Sequence, residues 1–404
     1  MDLSKRAVEV QASPIRKLMP YAETAKGKGI KIYHLNIGQP DIETPQVMID
    51  VYRNYTDKVL AYGPSQGLLE YRKNLVNYYS RCDIDISTDE IIVTTAGSEA
   101  IIFAMMAICD PGDEIIIPEP FYTNYNGFAT MVGAKIVPLT TYAEKGFALP
   151  PNEKIEQMIS MKTKAIMLCN PGNPTGAVYS KHDLDRIAQL AIKHDIFVIT
   201  DEVYREFVYD EEKHTSILTL DYISDRTIMV DSVSKRYSAC GARIGCLISK
   251  NKDIIASVLK FAQARLCPPT LEQKAASAAA KLQEEYFEPT MNEYKKRRDI
   301  VFDKLQTMKG VICHKPHGAF YVIAKLTAID DAEDFAKWML AEFSYNNETV
   351  MFAPAEGFYA TKGMGKNEIR IAYILNETDL EKAMDILTIG LEKYVALKGS
   401  KLDK

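Results

Sequence analysis

Two serines, a lysine and an arginine lie close together in the segment Asp231-Ser232-Val233-Ser234-Lys235-Arg236-Tyr237-Ser238-Ala239-Cys240-Gly241-Ala242-Arg243-Ile244-Gly245. It follows an apolar run, 227–230, whose residues are typical of a β-strand. A lysine enclosed at a strand end beside another cation has its ammonium form disfavoured, and is a candidate Schiff-base nucleophile. Ser232, Ser234 and Arg243 are suited to an anion such as a phosphate. An isolated Ser-x-Ser-Lys sequence is more simply explained as a solvated loop. The choice between such a loop and a functional lysine therefore depends on motifs elsewhere in the chain.

The composition is that of a globular protein, because 47% of the 404 residues are hydrophobic and 25% are charged. That length is more than one ordinary core needs, so we expect two domains. The net charge of −5 argues against nucleic acid as a partner. Seven cysteines without a Cys-x-x-Cys pair predict reduced thiols and no metal site. A polar start and the lack of a long apolar run lead us to expect a cytoplasmic protein without membrane partners.

Short apolar runs alternate with segments of helical periodicity between residues 91 and 248. This alternation predicts an α/β fold, in which helices cover a mostly parallel sheet of the seven-stranded type. After this region, long helices and separated strands predict a second, smaller α+β domain. We assign residues 46–290 to the large domain and 291–404 to the small C-terminal domain. Residues 1–45 are expected to form an N-terminal arm that packs as part of the small domain.

Four strand ends of the predicted sheet carry residues that suit ligand binding, and ligands bind where the strands of such sheets end. The first leads into a helix at 97–99, whose free N–H groups favour a phosphate. The next two are the Asn/Pro/Gly segment 170–176 and the Asp-Glu-Val-Tyr segment 201–204, and the fourth is the lysine stretch. Each motif alone has a structural explanation as a helix cap or a rigid turn. Together they supply a phosphate site, an amide, a carboxylate, a phenol and a lysine.

These groups are the ones needed to hold pyridoxal phosphate, whose aldehyde reacts with an amine and whose pyridine nitrogen pairs with an acid. The sequence resembles the class I/II aminotransferases, which are pyridoxal-phosphate enzymes of fold type I, and is most similar to the bacterial aspartate aminotransferases. The resemblance covers essentially the whole chain. It rests on six motifs that occur in the family's order, namely 35–41 (LNIGQPD), 62–67 (YGPSQG), 170–176 (NPGNPTG), 201–204 (DEVY), 232–243 (SVSK to Arg243) and 369–373 (IRIAY).

The resemblance implies a role for each catalytic residue. Lys235 forms the Schiff base with the cofactor and moves a proton between the substrate Cα and the cofactor. Asp201 pairs with the protonated pyridine nitrogen and so keeps the ring an electron acceptor. Asn173 and Tyr204 hydrogen-bond the 3′ oxygen of the ring. Lys235, Asp201 and Tyr204 are therefore the predicted catalytic residues.

The other cofactor contacts and the substrate contacts are also implied by the resemblance. Tyr122 stacks on the cofactor ring, at a position where many relatives have Trp. Arg370 forms a bidentate pair with the substrate carboxylate, in a site that Gly38 and Asn173 complete. Tyr62 reaches the cofactor phosphate of the neighbouring subunit, which implies a homodimer. The phosphate is held by Gly97, Ser98, Glu99 (these chiefly by backbone N–H), Ser232, Ser234 and Arg243.

The implied reaction is a ping-pong exchange of the amino group between an L-amino acid and 2-oxoglutarate. Aspartate is the first choice of amino acid, and alanine or aromatic amino acids are alternatives. A dicarboxylate needs a second cation, for which Arg265 or a lysine of the N-terminal arm is a candidate. A carbon–sulfur β-lyase of the same fold stays open, and release of pyruvate and ammonia from cystathionine would reveal it. A non-catalytic ligand sensor carries an added DNA-binding domain, for which we expect no room in this chain.

Overall fold

A computed structural model describes residues 1–11, 14, 16–210 and 212–398 of the chain. Residues 399–404 of the predicted small domain lie outside the described residues. The strands are β1 (Lys31–His34), β2 (Ile91–Thr94), β3 (Glu114–Glu119), β4 (Lys135–Thr140), β5 (Thr163–Cys169), β6 (Phe197–Asp201), β7 (Thr227–Ser232), β8 (Gly245–Ile248), β9 (Val311–Ile312), β10 (Tyr321–Leu326), β11 (Glu348–Met351), β12 (Ala353–Pro354) and β13 (Glu368–Ala372).

The large sheet has seven strands in the order β2-β8-β7-β6-β5-β3-β4. Every neighbouring pair is parallel except the two pairs made by β8, which runs antiparallel to β2 and to β7. Strands β2 and β7 are buried along their whole length, as expected for β-branched and apolar strands covered on both faces. The prediction of an α/β fold with a mostly parallel seven-stranded sheet is therefore confirmed.

Helices cover both faces of this sheet, and some of them start with a side-chain cap. In the fourteen-residue helix Lys181–His194, for example, Ser180 and Asp183 form a capping box at the start and Asp195 adopts a left-handed conformation at the end. The α-helices are α1 (Lys5–Glu9), α2 (Met19–Gly27), α3 (Gln46–Arg53), α4 (Leu69–Ser80), α5 (Ala96–Ile108), α6 (Asn124–Val132), α7 (Asn152–Glu156), α8 (Lys181–His194), α9 (Val233–Arg236), α10 (Lys252–Arg265), α11 (Thr270–Ala279), α12 (Glu288–Thr307), α13 (Ala332–Ala341) and α14 (Glu377–Lys398).

A smaller sheet of order β12-β13-β10-β9 is built from the C-terminal part of the chain. The N-terminal segment joins this region through β1, which pairs in parallel with β11. The start of the arm departs from the prediction, because α1 lies against α6 beside the large sheet, where the Arg6 guanidinium donates to the Met131 carbonyl over 3.3 Å. The predicted domain boundaries stay a prediction.

Two further observations on the described residues concern membrane spans and metal sites. Of the helices that the structure describes, none combines the length and the apolar character that crossing a bilayer requires. Within the same residues, no group of three or more His, Cys, Asp or Glu side chains could hold a metal ion.

Candidate active site

The carboxyl ends of β5, β6 and β7 open into a cavity of about 910 Å³, which is within the range of cofactor and ligand sites. The wall opposite these strand ends comes from the N-terminal segment and from the small sheet. Most of the predicted site residues line this one cavity. They are Gly38, Gly97, Ser98, Tyr122, Asn173, Asp201, Tyr204, Ser232, Ser234, Lys235, Arg243 and Arg370.

Lys235 lies on the four-residue helix α9, directly after strand β7. The Ser232 hydroxyl caps this helix by accepting a hydrogen bond from the Ser234 backbone N–H over 3.2 Å. The Lys235 ammonium group donates to the backbone carbonyl of Gly38 over 2.8 Å. The amine is thus held between a strand end and the N-terminal segment, at the position where a cofactor aldehyde would have to meet it.

A cradle for an anion forms where α5, β7 and β8 meet. The first N–H groups of α5 have no acceptor within the helix, and a helix start favours negative charge. The hydroxyls of Ser232 and Ser234 lie 2.8 Å apart, and both residues line the cavity. Gly245 allows this close approach, because a Cβ at that residue would lie 2.7 Å from the Gly97 nitrogen and 2.6 Å from the Asp231 carbonyl oxygen. This donor set fits a phosphate.

Arg243 adds a positive charge to the cradle. It has a φ of 53° and follows the short 3₁₀ turn at Cys240–Ala242, and its guanidinium donates to the Cys240 carbonyl over 2.8 Å. The side chain lines the cavity and is otherwise exposed, so its remaining N–H groups are available to a phosphate.

Two predicted residues lie outside the cavity lining. The Glu99 carboxylate turns away to accept hydrogen bonds from the Thr95 backbone N–H and from Arg265, at 2.7 and 3.0 Å. Tyr62 is 82% exposed on the surface of the single chain. The backbone role of Glu99 and the role of Tyr62 at a neighbouring subunit stay predictions.

Arg265 does not reach the cavity. Besides its ion pair with Glu99, its guanidinium donates to the carbonyls of Ser65 and Val93. Of the two candidates for a second cation, Arg265 is therefore disfavoured, because these contacts occupy its guanidinium and it does not line the cavity.

Asp201 ends strand β6 and is buried at the floor of the cavity. Its carboxylate accepts hydrogen bonds from the Tyr125 hydroxyl over 2.7 Å and from the Val203 backbone N–H over 3.3 Å. Burial raises the pKa of Asp201 to about 6, although the bond from Tyr125 acts in the opposite direction. No cationic nitrogen of the described residues lies within ion-pair distance of Asp201, although the charge of Lys235 also acts to lower its pKa. A buried carboxylate in this state fits a protonated ring nitrogen.

Tyr122 lies above this floor, where a stacking residue was predicted. Its ring meets that of Tyr125 edge to face, with centroids 5.5 Å apart, and its hydroxyl accepts a hydrogen bond from the Asn124 amide over 2.7 Å. Burial raises the pKa of Tyr122 to about 12, so the phenol stays neutral at physiological pH.

Arg370 is a buried cation in strand β13 on the side of the cavity opposite the large sheet. Its guanidinium lies between the rings of Tyr321 and Phe358, at 4.6 and 4.9 Å from their centroids. It donates to the Asn36 carbonyl over 2.5 Å and to the Asn173 side-chain oxygen over 3.3 Å. Its Nε has no hydrogen-bond partner among the described residues, and burial lowers the pKa of the group. Such a cation is suited to a carboxylate ligand.

Tyr204 connects the two sides of the cavity. Its hydroxyl lies 2.9 Å from the Tyr321 hydroxyl and accepts from the Asn173 amide over 3.4 Å. Burial raises the pKa of Tyr204 well above its ordinary value, so the phenol keeps its proton.

The cavity lining also contains residues that were not predicted from the sequence, among them Tyr125, Tyr321 and Arg16. The chain has 23 tyrosines, and nothing local to Tyr125 or Tyr321 separates them from the others. Arg16 is a cation of the same N-terminal arm whose lysines are candidates for the second cation.

Comparison with known proteins agrees with this geometry. Residues 30–387 match the family aminotransferase class I and II, so the chain belongs to that family. It is 34% identical over 393 residues to the aspartate aminotransferase of Pyrococcus abyssi, covering 95% of this chain and 97% of the relative. It is 33% identical over 393 residues to the aromatic-amino-acid aminotransferase 2 of Thermococcus litoralis, covering the same shares of the two chains.

Solved structures give the same result. The alanine aminotransferase from Pyrococcus furiosus superimposes with a TM-score of 0.89 at 32% identity, covering 97% of this chain and all of that one. The aspartate aminotransferase from Thermus thermophilus with maleate superimposes with a TM-score of 0.87 at 28% identity, covering 96% and 100%. Class I/II aminotransferases are pyridoxal-phosphate enzymes. The predictions of the family, of fold type I and of a pyridoxal-phosphate-dependent transaminase are confirmed.

Proposed function

We propose that this aminotransferase binds pyridoxal phosphate in the described cavity and prefers aspartate as amino donor and 2-oxoglutarate as acceptor. The supporting observation for the cofactor is that Lys235, Asp201 and the anion cradle line one cavity. When bound, pyridoxal phosphate supplies an aldehyde that combines with amines and a ring that accepts the electrons released at the substrate Cα. Ser232, Ser234, Arg243 and the α5 start hold its phosphate.

The residues around the cofactor divide the remaining work between them. The Asp201 carboxylate would form an ion pair with the protonated ring nitrogen and accept its hydrogen bond. The Tyr125 hydroxyl holds the Asp201 carboxylate in place by donating a hydrogen bond to it. Arg370 binds the α-carboxylate of the amino acid. The Lys235 Nζ, when unbound, would take the proton from the substrate Cα and deliver a proton to the cofactor carbon on the other side of the shared nitrogen. The Gly38 segment covers Lys235 and keeps water from it.

The preference for a dicarboxylate is supported by the charges of the cavity wall. Among the described residues, four arginines and lysines line it, and three of them, Lys235, Arg243 and Arg370, already have roles with the cofactor or the α-carboxylate. The fourth is Arg16, which begins the 3₁₀ turn Arg16–Leu18 ahead of α2 and makes no ion pair with any described residue. A free cation on the wall of the substrate cavity favours a substrate with a second carboxylate.

The apolar part of the lining supports a second candidate, an aromatic or alanine aminotransferase. Met19, Ile101, Phe128 and Met131 line the outer cavity together with Arg16. These side chains suit an apolar substrate side chain, and one of the curated relatives is named an aromatic-amino-acid aminotransferase.

A single-turnover screen separates the two candidates. Purified protein loaded with pyridoxal phosphate is mixed with aspartate, glutamate, alanine or phenylalanine, and conversion of the cofactor absorbance to that of pyridoxamine phosphate is followed. We expect Arg16→Gln to lower the rate constant per molar substrate about tenfold for aspartate and to leave that for alanine unchanged, since water screens this exposed cation in part. Equal losses for both substrates, or none, would contradict the assignment of Arg16.

Lys17→Gln is the matched control for this experiment. Lys17 is the next residue along the arm and forms an ion pair with Glu333, and it does not line the cavity. Its removal should leave the preference between aspartate and alanine unchanged. A release of pyruvate and ammonia from cystathionine in the same samples would instead identify a carbon–sulfur lyase.

We also propose that the chain acts as a homodimer. Val59, Leu60 and Tyr62 are 72%, 72% and 82% exposed, and they lie close together in the chain between α3 and α4. A run of exposed apolar residues is a common sign of a protein interface. Light scattering of the purified protein would test this, and a monomer at micromolar concentration would contradict it.

A further inference from the structure

Tyr321 lies at the junction of three parts of the active site. It begins strand β10, which pairs with β13 so that Ile323 is opposite Arg370 and Tyr321 is opposite Ala372. In an antiparallel pair this register makes Tyr321 a diagonal neighbour of Arg370 on the same face. The residue is buried and lines the cavity.

The ring of Tyr321 supports the arginine. The Arg370 guanidinium carbon is 4.6 Å from the ring centroid, a distance at which a cation is attracted by the face of an aromatic ring. This contact needs the ring and does not need the hydroxyl.

The hydroxyl of Tyr321 acts on a different residue, because it lies 2.9 Å from the Tyr204 hydroxyl. Each phenol has one hydrogen to donate. If Tyr204 donates its hydrogen to the cofactor, the bond between the two phenols requires Tyr321 to be the donor. A phenol that accepts a hydrogen bond is a stronger donor in turn, since hydrogen bonds in a chain polarise one another.

The same hydroxyl also contacts the N-terminal segment. A Cβ at Gly38 would lie 1.8 Å from the Tyr321 hydroxyl oxygen, so the segment approaches Tyr321 as closely as a glycine permits. The Gly38 carbonyl is in turn the acceptor for the Lys235 ammonium group. Tyr321 therefore touches the N-terminal segment, the substrate arginine and the cofactor tyrosine at once.

We propose that Tyr321 is a positioning residue with two separable actions: its hydroxyl strengthens Tyr204 as a hydrogen-bond donor to the cofactor, and its ring holds Arg370 for the substrate carboxylate. The inference rests on the proposed binding of pyridoxal phosphate in this cavity. When the Lys235 nitrogen that is bonded to the cofactor loses its proton, the negative ring oxygen no longer shares that proton. A hydrogen bond from Tyr204 then stabilises the charge on this oxygen, and so it favours the form in which the Lys235 nitrogen is unprotonated. Loss of the Tyr321 hydroxyl should therefore raise the pH at which the nitrogen loses its proton.

The first experiment is a pH titration of the cofactor absorbance in resting protein, which involves no turnover. Tyr321→Phe should raise the midpoint by about half to one pH unit, the size expected from weakening one hydrogen bond. Tyr204→Phe should raise it further, and the double variant should match Tyr204→Phe alone, because the hydroxyl of Tyr321 acts through Tyr204. An unchanged midpoint in Tyr321→Phe, or shifts that add in the double variant, would overturn this action.

Tyr373→Phe is the matched control. Tyr373 is a buried tyrosine that directly follows β13 and does not line the cavity. Its hydroxyl donates a hydrogen bond of 3.2 Å to the Ala319 carbonyl. Its midpoint should equal that of the wild type. If the wild-type protein shows no absorbance band after pyridoxal phosphate is added, the proposed function itself is refuted. If the band is present and Tyr321→Phe leaves its midpoint unchanged, only the role of the Tyr321 hydroxyl is refuted.

The second experiment separates the ring from the hydroxyl. Tyr321→Phe keeps the ring, so KM for the amino acid should stay within about twofold of wild type, whereas Tyr321→Leu should raise KM roughly three- to thirtyfold by removing a partly desolvated cation–ring contact. An unchanged KM in Tyr321→Leu would overturn the role of the ring. An equal rise in both variants would overturn the separation of the two actions.

Discussion

Replacing Asp201 by Asn tests the electrostatics of the cavity floor in protein without cofactor. The carboxylate is buried, accepts from Tyr125 and Val203, and has no ion pair among the described residues. Burial therefore raises its pKa from 3.8 to about 6. Because the folded state binds the proton more tightly than the unfolded state, the contribution of Asp201 to the free energy of unfolding falls as pH rises between these two values.

The size of this effect follows from the same pKa values. The difference between 3.8 and about 6 corresponds to about 3 kcal/mol, at about 1.4 kcal/mol for each pKa unit. Asn cannot ionise, so its variant escapes this loss. We expect the apoprotein of Asp201→Asn to gain about 3 kcal/mol over wild type between pH 4 and pH 7, and the gain to stay constant at higher pH.

Urea unfolding of the two apoproteins across this pH range is the assay, with Asp303→Asn as control. Asp303 is exposed on α12, and its variant should follow the wild type at every pH. With pyridoxal phosphate bound, we expect the order to reverse, because the protonated ring nitrogen pairs with the Asp201 carboxylate and not with an amide. A stability difference between wild type and Asp201→Asn that does not change with pH would show that the pKa of Asp201 is not raised in the folded protein.

Two further substitutions test the substrate side of the cavity. Gly38→Ala places a methyl group 1.8 Å from the Tyr321 hydroxyl oxygen, so we expect the variant to lose most of kcat/KM and to keep its cofactor absorbance. Gly27→Ala is the control and should leave kcat/KM unchanged, because no atom lies within 4 Å of a Cβ at Gly27. Normal kinetics in Gly38→Ala would contradict the close approach. Arg370→Lys should raise KM for the amino acid by about tenfold or more, since a lysine cannot reproduce the planar fork, and an unchanged KM would remove Arg370 from the substrate site.

Sequence alone was sufficient where a functional residue follows directly on a strand. Asp201 and Ser232 each end a buried apolar strand, and the carboxyl ends of neighbouring parallel strands must meet at one edge of the sheet. Local pattern thus determined both the strands and the place of these side chains. The family motifs then added Arg370, which lies far from the others in the chain.

Sequence was insufficient where a role depends on contacts between distant segments. Tyr125 reaches Asp201 across 76 positions and Tyr321 reaches Tyr204 across 117, and no local spacing encodes either contact. The partner of Arg265 is not encoded locally for the same reason, because only the packing of α10 on α5 brings it to Glu99. Pairing of β1 with β11 likewise joins segments more than 300 residues apart.

Borohydride trapping would show directly whether Lys235 is the residue that holds the cofactor. Purified protein is incubated with pyridoxal phosphate, reduced with sodium borohydride, digested, and analysed by mass spectrometry to find the lysine that has gained the pyridoxyl group. We predict a single modified lysine, Lys235, and no stable modification in Lys235→Ala. A pyridoxyl group on another lysine, or the absence of any pyridoxyl group from the wild-type protein, would show that Lys235 does not hold the cofactor in this cavity.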